Sequence, residues 1–292
     1  MSLEQNWLQA IQRQSENSLL RLRRAPLDLI NTVASGKNFK LYKNLEYGVL
    51  ERQKLDLYIP RRVARAPLVI FVHGGYWHGG SKDEYTFLAE ALNLEGFAVA
   101  AVNYRLAPGA TFPTWIRDVG LALRFLRRHA DQYGFEAEKV GLMGHSSGAH
   151  ITSLMALDER HLRDVGLTRD VLSAVVCLSG PYDFFDFILT DAKTQAAFGD
   201  PLHWSDTQPV RFADGTNPPM LLLHGEKDTL VNPLNTPALE KALKAVNGNV
   251  KAVMFEKLDH FTMLGAFSKI GRWLEPAVLP TVSNFLRQHT NQ

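Results

Sequence analysis

The chain has 292 residues, 46% of them hydrophobic, and its 32 basic and 30 acidic residues are interleaved for a net charge of +2. A chain of this composition buries a sizeable core, which excludes intrinsic disorder, and the balanced charge carries no nucleic-acid footprint. The first residues, MSLEQNWLQAIQRQ, lack the unbroken apolar stretch of a signal peptide, and no run approaches membrane-spanning length. The expectation is a cytoplasmic protein without membrane or nucleic-acid partners.

In chain order, residues 1–45 come first. Leu3, Trp7, Ile11, Leu19, Leu20 and Leu22 recur there at near-helical spacing, which predicts a helical arm that either packs on the surface or roofs a pocket. The basic run LLRLRR in that arm alternates with leucines, as a solvated helix face does. YKNLEYGVLERQKLDLYIP follows and reads as an antiparallel hairpin entering a sheet. From residue 67 onward, short apolar runs alternate with segments of helical length. PLVIFVH, FAVAAVNY, KVGLMG, LSAVVCLSG, PMLLLHG and VKAVMFE read as buried strands, each bounded by turn-forming residues. SKDEYTFLAEALNLEG places Ser81 three residues before Glu84, which predicts a capping box, and closes on Gly96. WIRDVGLALRFLRRHADQYG and TPALEKALKAVNG are further amphipathic segments.

Strands buried on both faces and separated by helices predict an α/β fold, with a mostly parallel sheet covered on each side. The α/β domain is expected to span residues 46–292. Within it, residues 181–218 form a long aromatic-rich insertion between two strands, expected to line a pocket at the sheet edge. The lone cysteine, Cys177, cannot build a disulfide framework and reads as a small buried hydrophobe in a strand.

GHSSGAH follows the apolar run KVGLM. A nucleophile at a strand-to-helix elbow leaves no room for side chains two positions away on either side, hence G-x-S-x-G. Centred on Ser146 the flanks are Gly144 and Gly148. Centred on Ser147 they would be His145 and Ala149, and the pattern fails. Ser146 is therefore the candidate nucleophile, and Ser147 offers its backbone N–H.

A serine hydroxyl needs a base, and ten histidines compete for that role. At such an elbow the acid and then the base follow the serine in the chain. His161 lies on the helix after the elbow, His203 in the insertion, His224 at a strand end and His289 in the tail. His260, on a loop after the last strand, has the placement a base requires. Asp228 in HGEKDTLV is the expected acid, with Glu226 and Asp183 as alternatives. Asp259 is set aside, since chain neighbours rarely face each other. The strand PLVIFV runs into His73-Gly74-Gly75-Tyr76-Trp77, and backbone amides of Gly74, Gly75 and Ser147 form the expected oxyanion hole. The segment has no G-x-x-x-x-G-K-[ST] match, so a phosphate cradle is not expected.

HGGYW, VNYRLAP, GHSSGAH, HGEKDTLV and DHF, in this order, resemble the α/β-hydrolase superfamily over residues 45–290. YRLAPGATFP is similar to hormone-sensitive-lipase-type carboxylesterases. HGGYW followed by GSKDE, and G-H-S-x-G-A-H, are similar to kynurenine formamidases and their bacterial esterase relatives. The resemblance implies triad roles for Ser146, Asp228 and His260 and oxyanion roles for Gly74, Gly75 and Ser147. It implies a serine hydrolase of small to medium carboxylic esters that needs no metal or cofactor. The alternatives are an aryl formamidase acting on N-formylkynurenine and, from another class, a catalytically silent binding protein of the same fold. Tyr76, Trp77, Phe184 and Phe187 are expected to line the substrate pocket. Arg105 reads as structural and His150 as a packing or hydrogen-bonding residue. Oligomeric state is left open, a homodimer included.

Overall fold

The computed structural model describes residue 31 and residues 38–290. The expected helical arm therefore lies outside the described residues, except at Asn31. There the side-chain amide donates to the Asp83 carbonyl and its oxygen accepts from the Phe87 amide, at 2.7 and 3.2 Å.

The strands are β1 (Phe39–Glu46), β2 (Lys54–Pro60), β3 (Ala66–Val72), β4 (Ala98–Val102), β5 (Phe135–His145), β6 (Leu172–Leu178), β7 (Met220–Gly225) and β8 (Val250–Phe255). They form one eight-stranded sheet in the order β1-β2-β4-β3-β5-β6-β7-β8. β1 and β2 pair antiparallel, as do β2 and β4, and every other pairing is parallel. The hairpin and all six later strands match the expectation, and β1 brings residues 39–46 into the sheet. Asn44, at φ 55°, marks a bulge in β1, and its amide donates to Asp56 Oδ1 at 2.8 Å.

The helices are α1 (Thr86–Leu94), α2 (Thr114–Arg128), α3 (Ser147–Leu157), α4 (Phe185–Thr190), α5 (Ala192–Phe198), α6 (Asn235–Ala245), α7 (His260–Gly265) and α8 (Val278–Thr290), with single turns between some of them. Strand alternation divides the core. Leu68, Ile70, Val72 and Leu142 face α2 and α3, whereas Val69, Phe71 and Met143 face α1, α7 and α8. Cys177 is fully buried in the first layer, and burial pushes its thiol up to about 12.

One local expectation is corrected. Ser81 does not open a long helix through a capping box with Glu84. It caps a 3₁₀ turn over Lys82–Tyr85, accepting from the Asp83 amide at 3.2 Å, and α1 begins only at Thr86. The cause is Lys82, whose amide binds Asn103 Oδ1 at 2.7 Å and whose buried ammonium pairs with buried Asp56 at 2.8 Å. These contacts pin the turn to the sheet before an α-helix can start. The insertion carries α4 and α5 followed by two 3₁₀ turns. Asp191 caps α5 by accepting from Thr194 N at 2.7 Å, and Asp200 caps the next turn through Leu202 N at 3.0 Å.

Candidate active site

The carboxyl ends of β3, β5, β7 and β8 converge on one rim, the edge where open parallel sheets bind ligands. Each contributes one part of the site.

β5 ends at His145, and Ser146 turns the chain into α3 with φ 56° and ψ −123°. No ordinary L-residue region covers that backbone conformation, so the turn stores strain held by its surroundings. The flanking glycines are steric requirements. A Cβ on Gly144 would lie 2.3 Å from the Gly148 carbonyl oxygen, and one on Gly148 would lie 2.1 Å from that of Val72. Ser146 is half-buried, and its amide donates to the Leu178 carbonyl at 2.9 Å. Ser147 begins α3, so its amide is among those a helix leaves unpaired at its N-terminus. Its buried hydroxyl finds no partner among the described residues.

β3 runs into His73-Gly74-Gly75. A Cβ on Gly74 would sit 2.9 Å from the His145 carbonyl oxygen and 3.0 Å from Ser146 Cβ, so this glycine lies directly against the elbow. The His73 ring donates from Nδ1 to the Gly74 carbonyl at 2.9 Å. In a trans peptide that fixes the Gly75 N–H on the side opposite to His73. Gly75 has φ 143°, and a Cβ there would meet the Gly79 carbonyl oxygen at 2.1 Å. Side chains brace this loop: the Tyr104 hydroxyl donates to the His73 carbonyl at 2.9 Å, and Arg52 donates to the Gly80 carbonyl at 2.9 Å.

β7 and β8 supply the titratable pair. His260 Nδ1 lies 2.7 Å from Asp228 Oδ2, and both residues are buried. A carboxylate only accepts, so Nδ1 carries the hydrogen and Nε2 is left as the basic nitrogen of the neutral ring. Asp228 Oδ1 accepts from the Leu230 and Val231 amides at 2.8 and 2.9 Å. Burial raises the Asp228 pKa, but hydrogen bonds from His224 and His260, the His260 charge and the Val231 amide outweigh it and hold the carboxyl well below the usual carboxylate range. His260 is tied to the elbow from the other side. His145 donates from Nε2 to the His260 carbonyl at 3.0 Å, and the two rings lie 4.6 Å apart. No hydrogen bond joins the Ser146 hydroxyl to the His260 ring among the described residues.

The competing acids and bases lie elsewhere. Glu226 and Asp183 are exposed. Asp259 caps α7 in a capping box with Thr262, so its carboxylate serves the helix that carries His260. His161 contacts Asp158 at 3.4 Å, His203 is exposed beside Asp206, and His289 lies on α8 against Phe285. Arg105 grips buried Asp118 through two side-chain bonds of 2.8 and 2.7 Å, a structural clamp as expected.

Of the expected pocket residues, Tyr76 is half-exposed and Phe187 is 45% exposed, their rings 6.2 Å apart edge to face. Trp77 and Phe184 are different. Trp77 is buried and stacks on buried Phe184 at 5.9 Å. Its indole donates to His150 Nδ1 at 3.2 Å. His150 Nε2 in turn donates to the Thr207 carbonyl at 2.7 Å, and Phe198 closes the box. Trp77 thus braces the glycine loop from behind and does not offer a free ring face. The residue that sequence reasoning missed is His224, whose Nε2 lies 3.1 Å from the same Asp228 oxygen that His260 binds.

An eight-stranded, mostly parallel sheet with a serine elbow after β5 and the Asp228–His260 pair at the same edge defines the α/β-hydrolase fold. The chain belongs to the BD-FAE family, whose model matches residues 55–243. It is 27% identical to a probable isoprenylcysteine alpha-carbonyl methylesterase of Arabidopsis thaliana, over 75% of this chain and 56% of that protein. It is 34% identical to the kynurenine formamidase of Danio rerio, over 50% of this chain and 48% of that one. The chain spans about half the length of the curated relatives it matches. Esterase B from Lactobacillus rhamnosis shares the fold at a TM-score of 0.78 and 23% identity, covering 99% of this chain and 95% of that one. An esterase from Pyrobaculum calidifontis does so at 0.72 and 20%, covering 92% and 93%. No described helix is long and apolar enough to cross a membrane.

Proposed function

We propose that the protein is a serine-dependent carboxylic ester hydrolase acting on small to medium esters. The observation that carries this reading is the 2.7 Å bond between His260 Nδ1 and Asp228 Oδ2 at the rim where Ser146 turns into α3. His260 Nε2 takes the Ser146 proton as Oγ attacks the ester carbonyl carbon. The carbonyl oxygen becomes an oxyanion held by the amides of Gly74, Gly75 and Ser147, each such donor contributing roughly 3–4 kcal/mol. The C–O bond to the leaving group breaks, and the imidazolium returns its proton to the departing alcohol. Water, deprotonated by the same ring, then releases the acid and regenerates Ser146. Asp228 keeps the ring in the tautomer with hydrogen on Nδ1 and stabilises the transient cation. The hydrogen bond from Ser146 Oγ to His260 Nε2 that this step requires forms in the complex with substrate.

The test is Ser146→Ala assayed with p-nitrophenyl butyrate. Turnover falls by ~10³-fold or more with the thermal midpoint unchanged. Near-normal turnover in that variant overturns the reading.

A second reading is an aryl formamidase, since the same atoms cleave an N-formyl bond with an arylamine as leaving group. It is favoured by the HGGYW segment together with the 34% identity to a kynurenine formamidase. Tyr76 and Phe187 at the surface would contact the aryl group. Measuring kcat/KM on N-formylkynurenine against acyl, aryl and feruloyl esters separates the two readings. A preference of several orders of magnitude for the formamide replaces the first with the second.

A further inference from the structure

Asp228 is gripped by two imidazoles at one oxygen. His260 Nδ1 lies 2.7 Å and His224 Nε2 3.1 Å from Oδ2, while Oδ1 takes the two turn amides. His224 is fully buried, at the end of β7 and four residues before the acid. Its Nε2 faces two groups that only accept, the Asp228 carboxylate and the Val231 carbonyl at 3.3 Å. Nε2 must therefore carry a hydrogen. In the singly protonated ring Nδ1 is bare, and the Thr236 hydroxyl, 2.8 Å away on α6, donates to it.

Resting on the assignment of Ser146, His260 and Asp228 proposed above, we infer that His224 is a positioning residue for the reaction. It acts through Asp228, with Thr236 selecting the ring's orientation. The reasoning is geometric. A carboxylate held at one oxygen alone can still turn about its χ angles, and each orientation would present His260 with a different acceptor. Two amides fix Oδ1 and one imidazole N–H fixes Oδ2 from behind, which leaves Oδ2 a single open direction, toward His260. Charge-assisted bonds between buried groups make this restraint strong. The same cluster reaches the insertion. Next to Thr236, Asn235 Oδ1 accepts from the Tyr182 and Asp183 amides at 2.7 and 2.8 Å, so the acid turn and the entry to the insertion are pinned by adjacent residues of α6. Had His224 been only a core filler, an apolar side chain of similar volume would serve as well.

The experiment compares His224→Leu, His224→Gln and Thr236→Val for kcat, KM and the rate of covalent labelling by a fluorophosphonate, with thermal midpoints alongside. Glutamine places an amide N–H near the position of Nε2. His224→Leu is expected to lose ~10–100-fold in kcat and labelling rate, with KM within about twofold. His224→Gln is expected to recover most of that loss. Wild-type kcat and labelling in His224→Leu overturns the inference. So do equal losses in the leucine and glutamine variants that track their thermal midpoints. Should His224→Leu fail to fold, the near-isosteric Thr236→Val carries the test, with a ~3–10-fold loss in kcat at unchanged KM expected and wild-type kcat contradicting it. The underlying triad fails separately: it falls if Ser146→Ala or His260→Gln labels at the wild-type rate. If those variants are silent while His224→Leu is unaffected, only the positioning role is lost.

Discussion

Two buried histidine clusters lie on this rim, and they use the same ring in opposite ways. At Asp228, His260 and His224 share one carboxylate oxygen, while the other accepts from two backbone amides. At the start of α3, His150 is boxed by Trp77, Phe184 and Phe198, and among the described residues its ring has an indole N–H and a backbone carbonyl as polar partners. The first cluster holds a negative charge next to an imidazole and so can stabilise the cation that general-base catalysis creates. The second offers none, and burial lowers the His150 pKa to about 3, against the Thr207 carbonyl that raises it. In the proposed mechanism the first environment makes a base; the second makes a neutral strut. His150 spans from the glycine loop through Trp77 to the insertion at Thr207, and that span keeps Gly74 against the elbow.

The contrast can be broken most severely at the loop the strut supports. Gly74→Ala must place a methyl 2.9 Å from the His145 carbonyl oxygen and 3.0 Å from Ser146 Cβ. We expect kcat to fall by ~10²–10³-fold with little change in KM, the signature of lost transition-state binding. Steady-state kinetics on p-nitrophenyl butyrate check this, and unchanged kcat would remove Gly74 from the oxyanion hole.

A smaller effect sharpens the neutral half of the comparison. The unfolded His150 ring protonates below about pH 6.5, whereas the folded ring stays neutral down to about pH 3. Between these values the unfolded state binds more protons, so stability falls as pH drops through that window, by up to about 1.4 kcal/mol per pH unit for one proton. His161, also lowered chiefly by burial, adds to the slope in the same direction. His150→Phe is expected to flatten the dependence of urea-unfolding free energy on pH between 6.5 and 4 without abolishing it. An unchanged slope would contradict the assignment of a neutral strut.

The smallest effect concerns the exposed aromatic pair Tyr76 and Phe187. Phe187 is exposed and meets Tyr76 edge to face, and in the proposed reading Phe187→Ala removes one wall of an aryl subsite. We expect kcat/KM to fall about 5–10-fold on aryl esters, the weight of about one aromatic contact, and less on acetyl or butyryl esters of small alcohols. Equal losses across the panel would place Phe187 outside the leaving-group pocket.

Much of this architecture was legible in the residues themselves. β-branched runs bounded by glycine, proline or histidine read as strands because both faces of a parallel sheet are apolar. The glycines around Ser146 were readable as steric necessities, and chain order pointed to Asp228 and His260. Other features were hidden for physical reasons. A histidine at a strand end reads as structural, and only the turn that folds Asp228 back across four residues reveals His224 as its partner. The HGEKD spacing was the one signal present. An aromatic pair after two glycines suggests a pocket, and Trp77 is buried only because α3 and the insertion meet behind it. Asp259 adjoins His260 in the chain, and chain neighbours rarely pair. The structure supplies the fuller reason, since DHFT is a capping box whose acid is committed to backbone amides.

The most direct measurement is to treat native protein with a fluorophosphonate and map the adduct by peptide mass spectrometry. The account predicts a single phosphonyl group on Ser146, absent from Ser146→Ala and formed far more slowly in His260→Gln. An unlabelled native protein, or an adduct on Ser147 or another residue that persists in Ser146→Ala, would contradict it.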